Sequence, residues 1–162
     1  MKDLFDITER QIKSLLHSKR ANVLFYDHKR NELFRRQHKD GSDTIESISC
    51  IKVGHKAING LGSISIHTLS TIYSNVIGDP RFWKPIDDPK GDESDPPTRA
   101  VSIPIVKRVE ENSQENVLPK GVVIAINKEG QRNFSTHDVS IVKAYNNLVT
   151  RVIDIAAYFL VI

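Results

Sequence analysis

The spacing of apolar and polar positions divides the chain into helix-period and strand-period stretches. Over residues 3–17, Leu4, Phe5, Ile12, Leu15 and Leu16 fall near helical spacing while Asp6, Glu9, Arg10 and Lys13 occupy the other faces, which predicts an amphipathic helix. Residues 22–27 read as a strand, with 32–35 as its hairpin partner across the 27–31 turn, and 47–53 predict a third strand. Residues 54–64 open with turn residues and become a short helix rich in small side chains. Residues 75–88 read as irregular, and 87–97, dense in acids, Pro and Gly, as a mobile loop. Strand character returns over 99–106, where Pro104 marks an edge or a bulge. A polar hairpin turn over 110–116 then leads into a last strand ending at Ile126.

The final helix is predicted to run unbroken from Ser135 to at least Phe159. Val142, Tyr145, Val149, Val152, Ala156 and Phe159 recur at spacings of three and four, whereas Ile141, Leu148, Ile155 and Ile162 recur every seven. Such a seven-residue seam suits a partner helix, so the chain is expected to form a homodimer through its terminal helices; the other reading joins both stripes into one wide core-facing surface. The order is helix, two or three strands, short helix, loop, two strands, long helix. This is an α+β or α/β plan with a mainly antiparallel sheet backed by terminal helices.

Composition narrows the function classes. A length of 162 residues with 39% hydrophobic content suits one domain. The 23 basic and 20 acidic residues nearly balance at a formal charge of +3, and the basic runs at 28–30 and 35–39 carry few aromatics. They read as a solvated hairpin, not a nucleic-acid surface. The single cysteine, Cys50, excludes an intramolecular disulfide and fits a buried thiol in a reducing compartment. There is no signal-peptide order at the start and no apolar run near the roughly 18 residues that cross a bilayer, so a cytoplasmic protein without membrane contact is expected. The apolar run at 156–162 suggests a domain excised from a larger protein.

Catalytic chemistry is sparse. The six histidines form no i,i+4 pair and no His-Glu-x-x-His arrangement, so no metal site is expected. Gly54, Gly60 and Gly62 do not have phosphate-loop spacing. Asp87-Asp88 and Glu110-Glu111 lie in loop-like stretches and read as solvated charge. The most informative stretch is Asn127-Lys128, Phe134 and Asp138. A polar pair ends the β-branched run 121–126, and Ser135 with Asp138 three residues on forms a capping-box pattern. Two readings stand: a Lys128–Asp138 ion pair clamping strand end to helix start, or plain capping with Lys128 solvated.

Four segments in order resemble a GAF domain, the regulatory module of cyclic-nucleotide phosphodiesterases and related signalling proteins. Gly60-Leu61-Gly62-Ser63-Ile64 resembles the family's Gly-x-Ala-Gly turn and helix, and residues 75–82, ending Asp79-Pro80-Arg81-Phe82, its Asp-x-x-x-Asp-Pro-Arg-Phe segment. Residues 98–105 are similar to its Thr-Arg-Ser-Leu-Leu-Cys-Val-Pro-Ile strand. Asn127, Lys128, Phe134 and Asp138 match four letters of the Asn-Lys-Phe-Asp-Glu signature, with Val139 at the fifth. The resemblance implies an α+β fold with a central six-stranded antiparallel sheet, N- and C-terminal helices on one face and a ligand pocket on the other. It also implies a non-catalytic module that binds a small molecule, such as cAMP or cGMP, and signals to a neighbouring effector domain; the alternative is a dimerisation or scaffold module without ligand.

By position, the resemblance assigns Asn22, Asp40, Leu61, Gly62, Asp87 and Thr98 to ligand binding. It makes Asn127, Lys128, Phe134 and Asp138 a structural clamp holding the pocket floor in register with the long helix. Lys39 replaces the aromatic before the family's Asp-Gly turn, Lys90 a lid threonine, and Ile124 a base-contacting glutamate. The polar complement for a purine is therefore incomplete. Reductases built on this fold need several cysteines, which Cys50 alone does not supply.

Overall fold

The computed structural model describes residues 2–36, 45–49 and 60–161. Asp40, Lys39 and Cys50 lie outside the described residues, as do residues 50–53 of the predicted third strand and the turn at 54–59. The elements are α1 (Lys2–Leu16), β1 (Ser18–Asp27), β2 (Glu32–Arg36), β3 (Ile45–Ser49), α2 (Leu61–Thr68), β4 (Ile72–Asn75), α3 (Lys84–Asp87), β5 (Arg99–Glu111), β6 (Gln114–Lys128), α4 (Thr136–Ala144) and α5 (Asn146–Val161). A 3-10 turn at Glu129–Gln131 joins β6 to α4.

The strands form one six-stranded sheet in the order β3-β2-β1-β6-β5-β4, and the paired neighbours run antiparallel. Strand side chains alternate between faces, so the sheet feeds two cores. Ala21, Val23, Phe25, Val101, Ile103, Val123 and Ala125 face one way and pack with Ile12 and Leu16 of α1, Val139 and Val142 of α4, and Val149, Val152 and Ile153 of α5. On the other face Leu24, Ala100, Val122, Ile124 and Ile126 pack with Leu61 and Ile66 of α2 and Ile86, at the end of α3. Both faces of β6 are covered, which is why residues 121–126 read as one continuous apolar run.

Two of the expected elements change. Residues 72–75, absent from the strands read off the sequence, form the edge strand β4 against Arg99–Ser102; four residues are too few to show a period. β4 pairs β5 no further than Ser102, so Pro104 faces no second partner strand and its missing N–H costs no ladder bond there. The long helix is two helices broken at Tyr145. Its cause is Asn146, whose side chain accepts from Val106 N–H at 3.3 Å and donates to Val106 C=O at 2.8 Å, where the β5–β6 register shifts. Of the two stripes, Val142, Val149 and Val152 are buried, Ile141 partly so, while Leu148 and Ile155 are each 44% exposed. Tyr145, placed by period on the inner stripe, is exposed beside the break.

Candidate functional site

On the face opposite the terminal helices, Asn22, Ile124 and Ser102 stand in register across β1, β6 and β5. Helix α2 lies over this row. A Cβ on Gly62 would approach Ile124 Cδ1 to 3.0 Å, so a larger residue there would require Ile124 to shift by a few tenths of an ångström. Ser65 of α2 donates its hydroxyl to Ser102 Oγ at 2.8 Å. Asn22 is fully buried, yet among the described residues neither end of its side-chain amide has a hydrogen-bond partner, and the buried Ser63 hydroxyl likewise has none. Each such group costs about 1–3 kcal/mol in a dry interior, and native cores carry few of them.

At the mouth of this face the Asp87 carboxylate, fully buried, closes the N-terminus of α2. It accepts from Leu61 N–H at 2.8 Å, Gly62 N–H at 3.1 Å and Trp83 N–H at 2.9 Å. Burial pushes the Asp87 carboxyl up to about 6, against the three N–H groups that favour its charge. Leu61, Gly62 and Asp87, assigned separately to a ligand, are thus brought together and bonded to one another. Upstream, Asp79 accepts from Arg81, from Ser74 Oγ at 2.6 Å and from Arg81 N–H at 2.9 Å. The Arg81 guanidinium foremost holds Asp79 well below the usual carboxylate range. Arg81 C=O accepts from Gly60 N–H at 3.0 Å, which ties this turn to the start of α2.

Residues 87–97, read from composition as a mobile loop, are strapped down. Arg20 of β1 donates through Nε and Nη2 to the two oxygens of Asp88 at 2.8 and 2.9 Å, and through Nη1 to Asp95 Oδ2 at 2.9 Å. Its Nη2 also reaches Asp95 C=O at 2.9 Å. Lys90 bonds Glu9 of α1, whose other oxygen accepts from Val23 N–H at 3.1 Å. Asn127 closes the far end. Its Oδ1 accepts from Thr98 N–H at 2.8 Å, Thr98 Oγ1 at 3.1 Å and Arg99 N–H at 3.1 Å, while its Nδ2 donates to Pro96 C=O at 2.9 Å. Asn127 has φ 53°, a left-handed conformation asparagine tolerates well. Thr98 therefore spends its hydroxyl on Asn127.

Arg20, Asp88 and Asp95 were missed as site residues. Lys19-Arg20 before an apolar strand resembles any solvated basic pair, and the acids looked like loop charge; only folding brings positions 68 and 75 residues apart together.

Beside the strap, Lys128 Nζ donates to Asp138 Oδ1 at 2.6 Å. Asp138 Oδ2 meanwhile accepts from Ser135 N–H at 2.8 Å, and Ser135 Oγ accepts from Asp138 N–H at 3.3 Å. Ion pair and capping box coexist because the carboxylate uses a different oxygen for each. Phe134, buried, packs in the core under the terminal helices. Burial works to raise the Asp138 carboxyl, but Lys128 and Ser135 outweigh it and hold the group below the ordinary range. Lys128→Ala is expected to cost about 2 kcal/mol at pH 7, since it leaves a buried carboxylate without its cation. A lowered carboxyl stabilises the fold above its unfolded value near pH 4 and stops doing so as the pH falls through its folded value. Urea titrations should therefore show the gap between wild type and variant shrinking toward pH 3.

Among the described residues no group of three or more His, Cys, Asp or Glu side chains is placed to hold a metal ion, and no helix is long and apolar enough to cross a membrane. No family model matches the sequence, and no curated protein matches it. Several solved structures match the fold, GAF domains among them. The GAF-B domain of DevS from Mycobacterium smegmatis aligns at TM-score 0.52 and 9% identity, covering 97% of this chain and 95% of that one. A second structure, the second GAF domain of DevS from the same organism, aligns at TM-score 0.52 and 12% identity with the same coverage. The fold is that of a GAF domain, with the six-stranded sheet and the terminal helices gathered on one face.

Proposed function

We propose that this chain is a non-catalytic regulatory module that takes a small uncharged molecule on the α2 face of the sheet and signals through its terminal helices to an attached effector. The observation that carries the reading is Asn22, a buried amide with both donor and acceptor unspent on the floor beneath α2. A ligand with an amide-like edge would complete both bonds, and a site that depends on such bonds discriminates strongly against molecules lacking them. Cyclic nucleotides are the finer reading, and the purine edge suits Asn22. Their phosphate suits the site less well, because the α2 N–H groups that would bind it already hold the Asp87 carboxylate.

Asn22→Leu separates this from a purely structural asparagine. It removes an unsatisfied amide, so the ligand-free protein should melt at the same temperature or higher. Calorimetric titrations with adenine, guanine, cAMP and cGMP should give heat for at least one base with wild type and none with Asn22→Leu. A variant that melts markedly lower, or wild type silent toward all four at millimolar concentration, would count against the ligand reading.

A second reading, pairing of two copies, is favoured by the outer stripe of the C-terminal helices. Leu148 and Ile155 are exposed one heptad apart, a spacing that supports helix pairing. Sedimentation should then give a dimer for wild type and a monomer for Leu148→Glu. A wild-type monomer at high concentration sinks this second reading without touching the first.

A further inference from the structure

A groove of about 470 Å³ opens on the helix side of the sheet, where β5 passes the break between α4 and α5. Four cations line it, Lys107, Arg108, Lys143 and Arg151, against one carboxylate, Asp154. That carboxylate is already shared between Lys107 at 3.7 Å and Lys120 at 2.8 Å, and Arg108 is paired with Glu115 at 2.7 Å. Among the described residues Lys143 and Arg151 have no acidic partner. Thr150, 7% exposed, lines the same groove, and among the described residues its hydroxyl has no hydrogen-bond partner. The Asn146 amide, bonded to both backbone groups of Val106, fixes the spacing between strand and helix.

We propose that this groove binds a small phosphate-bearing molecule. Lys143, Asn147 and Arg151 recur every four residues, which places them along one side of the helical path, with Thr150 on the neighbouring row. Lys143 and Arg151 start eight residues, about 12 Å, apart along the helical path, so the ammonium and the guanidinium fork would reach in from opposite ends onto two linked phosphates, with the Thr150 hydroxyl as a neutral donor between them. The groove falls within the roughly 300–1,000 Å³ of small-ligand sites. It stands across the sheet from Asn22, so its ligand would act on the output helix directly and independently of the α2 face.

The test uses the whole chain with pyrophosphate as probe, followed by calorimetry and by backbone amide shifts. Wild type should bind saturably at one site, with the largest shifts at residues 143–151 and on β5 near Val106. The double variant Lys143→Gln/Arg151→Gln, at two exposed positions, should weaken binding by at least about tenfold. Thr150→Val should weaken it less, and Arg10→Gln on α1 should leave it unchanged. Unaltered binding in the double variant, loss in Arg10→Gln of equal size, or shifts scattered over all exposed cations would each overturn the proposal. Asn22→Leu should bind pyrophosphate as wild type does, so failure here and failure of the α2-face reading are told apart.

Discussion

Arg20→Met is expected to lower the free energy of unfolding by about 3–5 kcal/mol, the cost of stranding a buried carboxylate without its cation. The Arg20 side chain is 11% exposed and that of Asp88 fully buried, so water does little to screen the loss. Both Asp88 oxygens lose their donor at once, and the Asp95 side chain and carbonyl are released with them. Hydrogen exchange should rise across residues 88–97 well before it rises in β6. Arg20→Lys should recover part of the stability, since an ammonium keeps the charge but cannot hold both oxygens in a planar fork. A double-mutant cycle with Asp88→Asn reads the pairing directly: Arg20→Met should cost much less in that background. Equal costs in both backgrounds would mean that Arg20 acts by packing alone. If the α2 face is the ligand site, the same substitution should also weaken ligand binding, because the strap crosses from β1 to the segment that bounds that face.

The second large effect is expected at Asp87. Asp87→Ala leaves the N–H groups of Leu61, Gly62 and Trp83 without an acceptor inside the fold. At about 1–3 kcal/mol each, offset by relief of a buried charge, the net loss at pH 7 should be about 3 kcal/mol. Asp87→Asn keeps an acceptor oxygen and buries no charge, so at pH 7 it should stay within about 1 kcal/mol of wild type. The pH dependence runs opposite to that of Asp138. With the folded carboxyl at about 6 and the unfolded one near 4, the folded state holds the proton more tightly. This contribution is fully present below pH 4 and is lost as the pH rises to 6. Wild type should therefore lose up to about 3 kcal/mol relative to Asp87→Asn across that window and nothing more above it. A flat difference between pH 4 and 7 would show that the helix N–H groups fully offset the burial of the charge. Removing the carboxylate also frees the α2 N–H groups, so Asp87→Ala should bind cAMP or cGMP more tightly than wild type does.

Much of the architecture was legible because hydrophobic period reports which faces are covered. The amphipathic pattern before His17 located α1, β-branched runs located β1, β5 and β6, and Ser135 with Asp138 marked the start of α4. Pro104 signalled a stretch of β5 open on one side, for a backbone reason, its missing N–H. What failed were features set by partners distant in the chain. Heptad spacing carries no sign that Val106 will seize the Asn146 side chain and break the helix. Composition likewise cannot tell a solvated acidic loop from one held by an arginine.

The sequence by itself determined the mainly antiparallel α+β plan and the places of α1, β1, β5 and β6, because these follow from local period and residue type. Tertiary structure alone decided where the polar groups spend their bonds. It put Asp87 onto the α2 N-terminus, Arg20 onto two loop carboxylates and Asn127 onto the Thr98 turn, and it left the Asn22 amide unpaired. The reason is physical. Burial of apolar surface is non-directional and can be read from a pattern, whereas a buried hydrogen bond or ion pair needs one partner at one distance and angle, which only the packed chain specifies.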